Sequence, residues 1–250
     1  MSYFKSRRSA VVARKGAVAT SQPLAAQAGL QILRDGGNAI DAAVATAAVL
    51  NVVEPMSTGI GGDMFALIWD KSERKVIALN GSGRQAAAAN VDDVRKAGYE
   101  SIPNNGPGSH FAVSVPGTVH GWETALNQYG RMTLREVLQP AIDYALNGYA
   151  VSEVIAHGWG GEDTITKLNH RPSGSQMLPG SAANGAPRYG EVVTLPELGR
   201  TLQMIAEGGS DAFYKGEIAK KTADFVQSEG GWLTEEDLAN HHSDWDEAIS

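Results

Sequence analysis

The residue best suited by type to hold a charged small molecule is Arg84. Residues 81–84 read Gly-Ser-Gly-Arg, so a guanidinium group follows directly after a glycine turn. A guanidinium is planar and pairs with both oxygens of a carboxylate through parallel N–H groups. By residue type alone, Arg84 could bind an anionic ligand or form a structural ion pair at the surface. The local sequence pattern leaves both interpretations open.

Histidine and acidic clusters have simpler interpretations. Residues 241–244 read His-His-Ser-Asp, and these residue types bind metals, but the side chains of adjacent histidines point apart. We therefore predict a solvated turn there, and no metal or cofactor. His110 and His120 are predicted to be packing or loop residues. The acidic groups at 92–93 and 235–237 fit the first turns of helices, where the helix dipole favours negative charge.

A second glycine turn, at residues 59–62 (Gly-Ile-Gly-Gly), has the composition of a phosphate-binding loop. It lacks the Gly-Lys-Ser/Thr ending of that loop, and it precedes a strand-like run instead of a helix. We predict a tight structural turn with positive φ angles or close backbone contacts.

The composition excludes several classes of protein. The chain has 250 residues, a formal net charge of −7 and no cysteine. A negative chain lacks the basic face that a general nucleic-acid binder needs, and without cysteine there is no disulfide, thiol nucleophile or cysteine–zinc site. The basic start is not followed by an apolar core of signal-peptide length, and no window reaches the ~20 apolar residues of a membrane span. We expect a soluble, cytoplasmic protein that binds neither nucleic acid nor membrane.

Two helices are predicted to form the scaffold before the glycine turns. A short buried strand at 16–20 leads to the first helix, which Ser21 caps. Asn38 caps the second helix, which runs to Pro55 with no polar face. A helix that is apolar all round must be buried on every side, so other layers must cover it.

After the second helix, the sequence predicts a hairpin, further helices and a long loop from the spacing of apolar, proline and glycine residues. Residues 64–69 and 75–79 are predicted to form a hairpin that is covered on both faces, because both strands are more apolar than a strict alternation. Pro140 is expected to kink or break its helix. Residues 158–190 are predicted to be a long irregular loop, and we expect no closing strand at the end of the chain.

Several threonines stand at positions typical of helix caps. Hydroxyl side chains accept hydrogen bonds from the free N–H groups of a first helical turn, and a carboxylate three residues later completes a capping box. The threonines predicted to have this role are Thr118, Thr133, Thr194 and Thr234.

Six sequence strings stand out along the chain. They lie at residues 36–45 (Gly-Gly-Asn-Ala-Ile-Asp-Ala-Ala-Val-Ala), 53–55 (Val-Glu-Pro), 59–65 (Gly-Ile-Gly-Gly-Asp-Met-Phe), 115–118 (Val-Pro-Gly-Thr), 195–198 (Leu-Pro-Glu-Leu) and 237–239 (Asp-Leu-Ala). In this order they resemble the large-subunit half of the gamma-glutamyltransferase (gamma-glutamyltranspeptidase) family of N-terminal-nucleophile hydrolases. One such string would be weak evidence, but six in order over most of the chain indicate common ancestry.

The resemblance implies an α+β fold, the αββα four-layer sandwich of N-terminal-nucleophile hydrolases, with only the large-subunit part present. Members of the family cleave themselves to expose a threonine at the start of a small subunit. The hydroxyl of that threonine attacks an amide, and its own α-amine acts as the base. None of the four threonines above lies in the motif that starts the small subunit. We therefore predict no catalytic residue in this chain, which should be inactive alone.

The resemblance assigns Arg84 to binding the carboxylate of the substrate. The residues around it depart from the transferase pattern, because the usual Arg-Glu-x-Ala-Pro is Arg-Gln-Ala-Ala-Ala at residues 84–88. Together with the preceding Gly-Ser-Gly, this stretch is more similar to the amidohydrolase and acylase branches of the family than to the glutathione-cleaving branch.

We therefore predict the large-subunit portion of a gamma-glutamyltransferase-like amidohydrolase or acyltransferase. Residues 1–15 would be an extended lead-in, and residues 16–250 a truncated N-terminal portion of the domain. The predicted partners are an amide substrate that bears a carboxylate, the small subunit of the same precursor and, as an open alternative, further copies in a homo-oligomer. The alternative function is a non-catalytic carboxylate-binding or structural protein. The sequence leaves open the acyl donor and acceptor, hydrolysis or transfer, and self-cleavage.

Overall fold

The computed structural model of the chain describes residues 10–103, 106–169 and 172–249. Within these residues the regular structure is mostly helical, and two short 3₁₀ turns occur at Ser109–Ala112 and Pro172–Met177. The α-helices are α1 (Pro23–Arg34), α2 (Ala39–Val53), α3 (Val91–Lys96), α4 (Thr118–Tyr129), α5 (Leu134–Asn147), α6 (Glu153–Trp159), α7 (Glu162–Asn169), α8 (Pro196–Tyr214), α9 (Glu217–Ser228) and α10 (Glu235–Ala239).

The described strands form two small antiparallel sheets. The larger sheet has the order β1-β2-β5, and a two-stranded sheet joins β3 to β4. None of the helices in the described ranges has the length and apolar composition that a membrane span requires. The strands are β1 (Met64–Asp70), β2 (Lys75–Gly81), β3 (Tyr149–Ala150), β4 (Val192–Val193) and β5 (Asp244–Glu247).

The core lies between the larger sheet and a layer of helices. Helix α4 contacts β1 and β2, while α2 packs between α1 and α5, and α5 packs on α8. The interior of this layer is closely filled by large aliphatic and aromatic side chains. Those with at most 1% of their surface exposed include Val49, Val52, Trp122, Leu138, Leu202 and Ile205.

Helix α2 begins at a polar site that is buried in the core. Asn38 caps the helix, as the sequence predicts, and together with Asp41 it forms a reciprocal capping box. Asp41 is 0% exposed, and its carboxylate also accepts hydrogen bonds from Arg131 N (3.0 Å) and Met132 N (3.1 Å) in the turn between α4 and α5. One carboxylate thus ties the start of α2 to the start of α5.

The rest of α2 is not buried on every side, so that expectation is wrong for this chain. Ala39 and Ala43 are exposed, and Ala47 and Leu50 are half-buried, along one stripe of the helix. These positions recur every three or four residues and therefore share one helical face. No element within the described residues covers this stripe fully.

The hairpin is covered on one face only, which corrects the prediction that both faces are buried. Ile68 and Leu79 point into the core and are 8% and 1% exposed. The opposite face of the same strands is apolar and open. This open sheet face consists of Phe65 (68% exposed), Leu67 (74%), Trp69 (61%) and, opposite Trp69 in the register, Val76 (42%).

Several local predictions near the start of the chain are wrong because they used only neighbouring residues in the sequence and not the contacts made in the folded chain. Residues 16–20 form no strand, because they pair with no other strand in the part of the chain that is described. Gln22, not Ser21, caps α1, and its Oε1 accepts hydrogen bonds from the N–H groups of Leu24 and Ala25. Ser21 instead donates to Glu54 Oε2 at 2.5 Å.

Two of the four threonine predictions are confirmed and two are wrong. Thr133 and Thr234 form capping boxes, as predicted. Thr118 and Thr194 do not cap, because α4 begins after Gly117 and α8 after Leu195 without a side-chain cap.

The remaining errors concern element boundaries. Pro140 lies within α5 without breaking it. The region 158–190 is not wholly irregular, since it contains α7 and a 3₁₀ turn. The strand β5 was missed, because four residues with two aspartates and a glutamate give little strand signal. The predicted lead-in at 1–15 lies partly outside the described residues, and its described part, 10–15, is exposed.

We predict that Asp41→Asn lowers the free energy of unfolding of the chain by about 2–3 kcal/mol, because an amide nitrogen would face buried N–H groups that need an acceptor. Denaturant unfolding measures this loss. Asp35→Asn is the matched control, since Asp35 is exposed and accepts only from the Gln31 side chain, and it should change stability by less than about 0.5 kcal/mol. Equal losses in both variants would contradict the role given to Asp41.

Candidate functional site

Arg84 is positioned where two backbone segments meet with no room for side chains between them. A Cβ atom added to Gly83 would lie 1.4 Å from Val115 O. A Cβ atom added to Gly117 would lie 1.8 Å from Gly81 O. Val115 N also donates to Arg84 O at 2.9 Å. The glycines are therefore required by close backbone approach, and this approach fixes the backbone of Arg84.

The turn at residues 59–62 completes this junction. Gly62 O accepts hydrogen bonds from Gly117 N (2.9 Å) and Thr118 N (3.0 Å) at the start of α4. Of the two features that the sequence allowed for this turn, the close backbone contact is the one present, at Gly62, and none of its glycines has a positive φ angle. The next residue, Asp63, accepts a hydrogen bond from Gly83 N at 2.8 Å.

The guanidinium of Arg84 is held by the segment that precedes and begins β5. Its Nη1 donates to His242 O at 2.8 Å. Its Nη2 lies 2.8 Å from Asp244 Oδ2 and 3.0 Å from His242 Nε2. The Arg84 and Asp244 side chains are 48% and 45% exposed, so the group remains accessible to solvent.

Beneath this ion pair lies a buried aromatic cluster. The ring of His241 is 8% exposed and stacks on Tyr214, with centroids 5.3 Å apart. It also meets His120 edge-on at 5.4 Å. His120 Nδ1 in turn accepts from Ser243 N at 3.1 Å. Neither ring nitrogen of His241 has a hydrogen-bond partner in the described residues.

The buried position of these groups opposes their charged forms. Burial lowers the pKa of His241 to about 4, with smaller contributions from His120, Arg84 and His242, while Asp63 acts in the opposite direction. Burial also lowers the pKa of His120 and raises that of Tyr214. The cluster is therefore neutral near pH 7, and it supports the segment that carries Asp244.

A small cavity lies behind the glycine turn. It has a volume of about 410 Å³, and its lining includes Asn51, Asp63, Thr118 and Trp122. Asn51 is 5% exposed, and its Nδ2 has no hydrogen-bond partner in the described ranges. This polar cavity and the open sheet face lie next to each other, because Phe65 lines the one and belongs to the other.

The structure brings together residues that the sequence reasoning kept apart. It places Asp244 and His242 on Arg84, although these residues are about 160 positions away in the chain. The prediction of a solvated turn at 241–244 holds for His242, which is exposed, and is wrong for His241, which is buried. His110 packs on Phe111 at 4.2 Å, as predicted for a packing residue. Within the described residues, no group of three His, Asp or Glu side chains is arranged to hold a metal ion.

Comparison with known proteins identifies the family. The family model described as gamma-glutamyltranspeptidase matches residues 25–250. The chain belongs to the gamma-glutamyltranspeptidase family. It is 40% identical over 242 residues to a glutathione hydrolase-like YwrD proenzyme of Bacillus subtilis, covering 96% of this chain and 44% of that protein. It is 37% identical over 240 residues to the glutathione hydrolase proenzyme of the same organism, covering 95% and 40%.

Solved structures of the gamma-glutamyltranspeptidase family agree in fold. The Helicobacter pylori gamma-glutamyltranspeptidase matches 96% of this chain and 68% of its own with a TM-score of 0.87 and 30% identity. The cephalosporin acylase from Bacillus halodurans matches 98% and 47% with a TM-score of 0.83 and 40% identity. The predicted fold class, α+β of the N-terminal-nucleophile hydrolase type, is confirmed. The chain spans about two fifths of the length of the curated relatives it matches.

We predict that His241→Phe makes the stability of the chain less dependent on pH. The pKa of His241 falls from 6.5 to about 4 on folding, so the unfolded chain binds more protons in this window and stability is lost as the pH falls through it. Phenylalanine keeps the stacking on Tyr214 and does not titrate. Between about pH 7.5 and about pH 5, His241→Phe should remove up to about 2 kcal/mol of the loss in unfolding free energy.

The matched control for this experiment is His157→Gln, because His157 is an exposed histidine on α6. It should leave the pH dependence as it is in the unsubstituted chain. An identical pH dependence in His241→Phe and the unsubstituted chain would show that His241 is not held neutral by folding.

Proposed function

We propose that this chain is the large-subunit portion of a proenzyme that hydrolyses or transacylates an amide bearing a carboxylate. The observation that carries the proposal is the family match over residues 25–250, together with a span of about two fifths of relatives that are themselves named proenzymes. The nucleophile would be a threonine at the start of a small subunit released from the same precursor. Its hydroxyl would attack the amide carbonyl, its α-amine would take the proton, and the amine of the substrate would leave.

The positions of the threonines named above support a nucleophile outside this chain. A terminal threonine must be released by cleavage of the peptide bond before it; three of the four stand at the cap or the first residue of a helix, and Thr194 lies two residues before α8. Thr133 and Thr234 are already engaged as caps, and Thr118 is the first residue of α4. These roles are structural.

The open sheet face supports a second subunit as the partner. Four large apolar side chains on one side of the hairpin are 42–74% exposed, and within the described residues β1 is an edge strand of its sheet. Exposed apolar patches of this kind mark interaction sites. A further sheet packed on this face would complete the central layers of an αββα sandwich, and we assign that sheet to the small subunit.

Arg84 is proposed as the group that binds the carboxylate of the substrate. It is half-exposed, and its backbone is fixed by the glycine junction. The Gly-Ser-Gly-Arg string favours a substrate of the amidohydrolase or acylase type over glutathione, and relatives of both kinds occur, among them an oxamate amidohydrolase proenzyme of Klebsiella pneumoniae at 37% identity. The cytoplasmic location expected from the sequence stays a prediction.

The second candidate, a non-catalytic carboxylate-binding or structural protein, is favoured by one observation. Arg84 already has an internal carboxylate partner in Asp244. Intact-mass analysis of the complete gene product separates the two candidates. Two fragments, the second beginning with threonine, would support the proenzyme, and a single uncleaved chain without amide-cleaving activity would support the alternative.

We predict that Arg84→Lys in the complete protein raises KM for a carboxylate-bearing amide by about tenfold or more, with a smaller effect on kcat. A lysine makes a point contact where the planar guanidinium makes two parallel hydrogen bonds to a charged group. Steady-state kinetics measure both constants. Lys215→Arg is the control, since Lys215 follows α8 and pairs with Asp211 at the surface. An unchanged KM in Arg84→Lys would remove Arg84 from the site.

We also predict that Leu67→Lys lowers the stability of the complete protein by at least about 2 kcal/mol, because the proposed second sheet would bury the ammonium group without a partner. Thermal or denaturant unfolding of the assembled protein measures the loss. Val154→Lys is the matched control, because Val154 is 77% exposed and lies on α6, away from the hairpin. Equal stability of the two variants would show that nothing covers the open sheet face.

A further inference from the structure

The N–H donors of the Arg84 guanidinium are already engaged by other groups. While those groups stay in place, a further carboxylate cannot accept two parallel hydrogen bonds from the guanidinium. A guanidinium offers two bidentate edges, Nη1 with Nη2 and Nε with Nη2, and both include Nη2. The Nη2 group contacts Asp244 Oδ2 at 2.8 Å and His242 Nε2 at 3.0 Å, which engages both of its hydrogens. A second carboxylate must therefore displace one of these two partners.

The hydrogen bonds of His242 identify it as an acceptor in this arrangement. Its Nδ1 lies 3.3 Å from Asn240 O, and a carbonyl oxygen can only accept. This contact assigns the proton to Nδ1 and leaves Nε2 free to accept from Arg84. The third contact, from Nη1 to His242 O at 2.8 Å, is made to the backbone. Of the groups on Arg84, Asp244 alone carries a carboxylate.

The backbone that carries Asp244 is anchored independently of Arg84. Asp244 pairs with Asn80 at the start of β5, and Ser243 is bound to His120. The stacked ring of His241 fixes the other end of the segment. A rotation of the Asp244 side chain is therefore sufficient to release Nη2, and the segment need not unfold.

We propose, on the basis of the function proposed above, that Asp244 is an internal competitor for the substrate carboxylate on Arg84 and thereby sets the affinity of the site. Before substrate binds, the Asp244 carboxylate pairs with the Arg84 guanidinium. The substrate carboxylate then replaces it and accepts two parallel hydrogen bonds from one edge of the guanidinium. The pair is half-exposed, and exposed ion pairs are weak, so a substrate that forms two charge-assisted hydrogen bonds displaces it. The exchange favours anions with a planar, two-oxygen head group.

The test is Asp244→Asn in the complete protein, assayed with one amide that bears a carboxylate and one analogue in which that carboxylate is a primary amide. Removal of the competitor should lower KM for the first substrate by up to about fivefold, which corresponds to about 1 kcal/mol, and leave kcat and the second substrate unchanged. A role in orienting Arg84 would instead raise KM. A raised or unchanged KM would overturn the proposal.

The control is Asp246→Asn, which removes the same charge from the same strand. Asp246 lies two residues further along β5, is exposed and forms no ion pair in the described ranges. KM should change by less than about 1.5-fold in this variant, since Asp246 is exposed to solvent and makes no ion pair with Arg84 in the described ranges. An equal decrease in both variants would show that general repulsion, and not competition on Arg84, is responsible.

The variant Arg84→Gln distinguishes failure of this proposal from failure of the proposed function. If Arg84→Gln leaves KM unchanged while the amide is still cleaved, Arg84 does not bind the substrate and the competition falls, but the proposed function stands; absence of amide cleavage in the unsubstituted complete protein would overturn the proposed function. If Arg84→Gln raises KM, the effect of Asp244→Asn should vanish in the double variant, because the competitor has nothing left to compete for. Additive effects in the double variant would overturn the competition alone.

Discussion

The backbone junction between the end of β2 and the start of α4 is the constraint on which the rest of the site depends. Gly83 and Gly117 approach carbonyl groups so closely that no side chain fits at either position. Gly62 contributes the carbonyl that receives the first N–H groups of α4. Two of the family strings, at residues 59–65 and 115–118, thus meet the Gly-Ser-Gly-Arg stretch at one point. Their common physical purpose is to bring the backbone of Arg84 to a fixed place beside Asp63.

Two other features of the chain follow from this arrangement. The hairpin lies with one face on the helices, and the same strands expose Leu67 and Trp69 on the other face. Helix α2 likewise leaves a stripe of small residues uncovered. The helical layer is well packed, while the sheet side is open. On the function proposed above, a second subunit would pack on the open sheet face, and the reactive threonine would come from that subunit.

Local signals predicted local structure well and distant pairings poorly. The capping boxes at Asn38, Thr133 and Thr234 depend on residues three positions apart, so the sequence was sufficient to find them. The strand at 16–20 depends on a partner strand, and no local pattern reports whether one is present. The family strings predicted the fold class because, taken together, they include residues from more than one side of the junction. No single string was sufficient for this prediction.

The arrangement at Arg84 could not be predicted because its partners come from the far end of the chain. Asp244 and His242 lie in a short polar stretch whose most direct interpretation is a solvated turn. The stacking of His241 on Tyr214, the hydrogen bond from Ser243 to His120 and the pairing of β5 with β2 make this stretch a support for the site, and no local periodicity encodes them. The resemblance to the family named Arg84 as the candidate and gave no indication of the carboxylate of Asp244 that pairs with it.

We propose that this chain binds and positions the substrate, while the nucleophile is a threonine that begins a small subunit of the same precursor. The most direct test is to trap the acyl-enzyme of the complete protein with a slowly turned-over amide or an electrophilic analogue, and to locate the modified residue by peptide mapping. The account predicts a single adduct on a threonine that begins a separate small subunit. An adduct on any residue between 10 and 249 would contradict it.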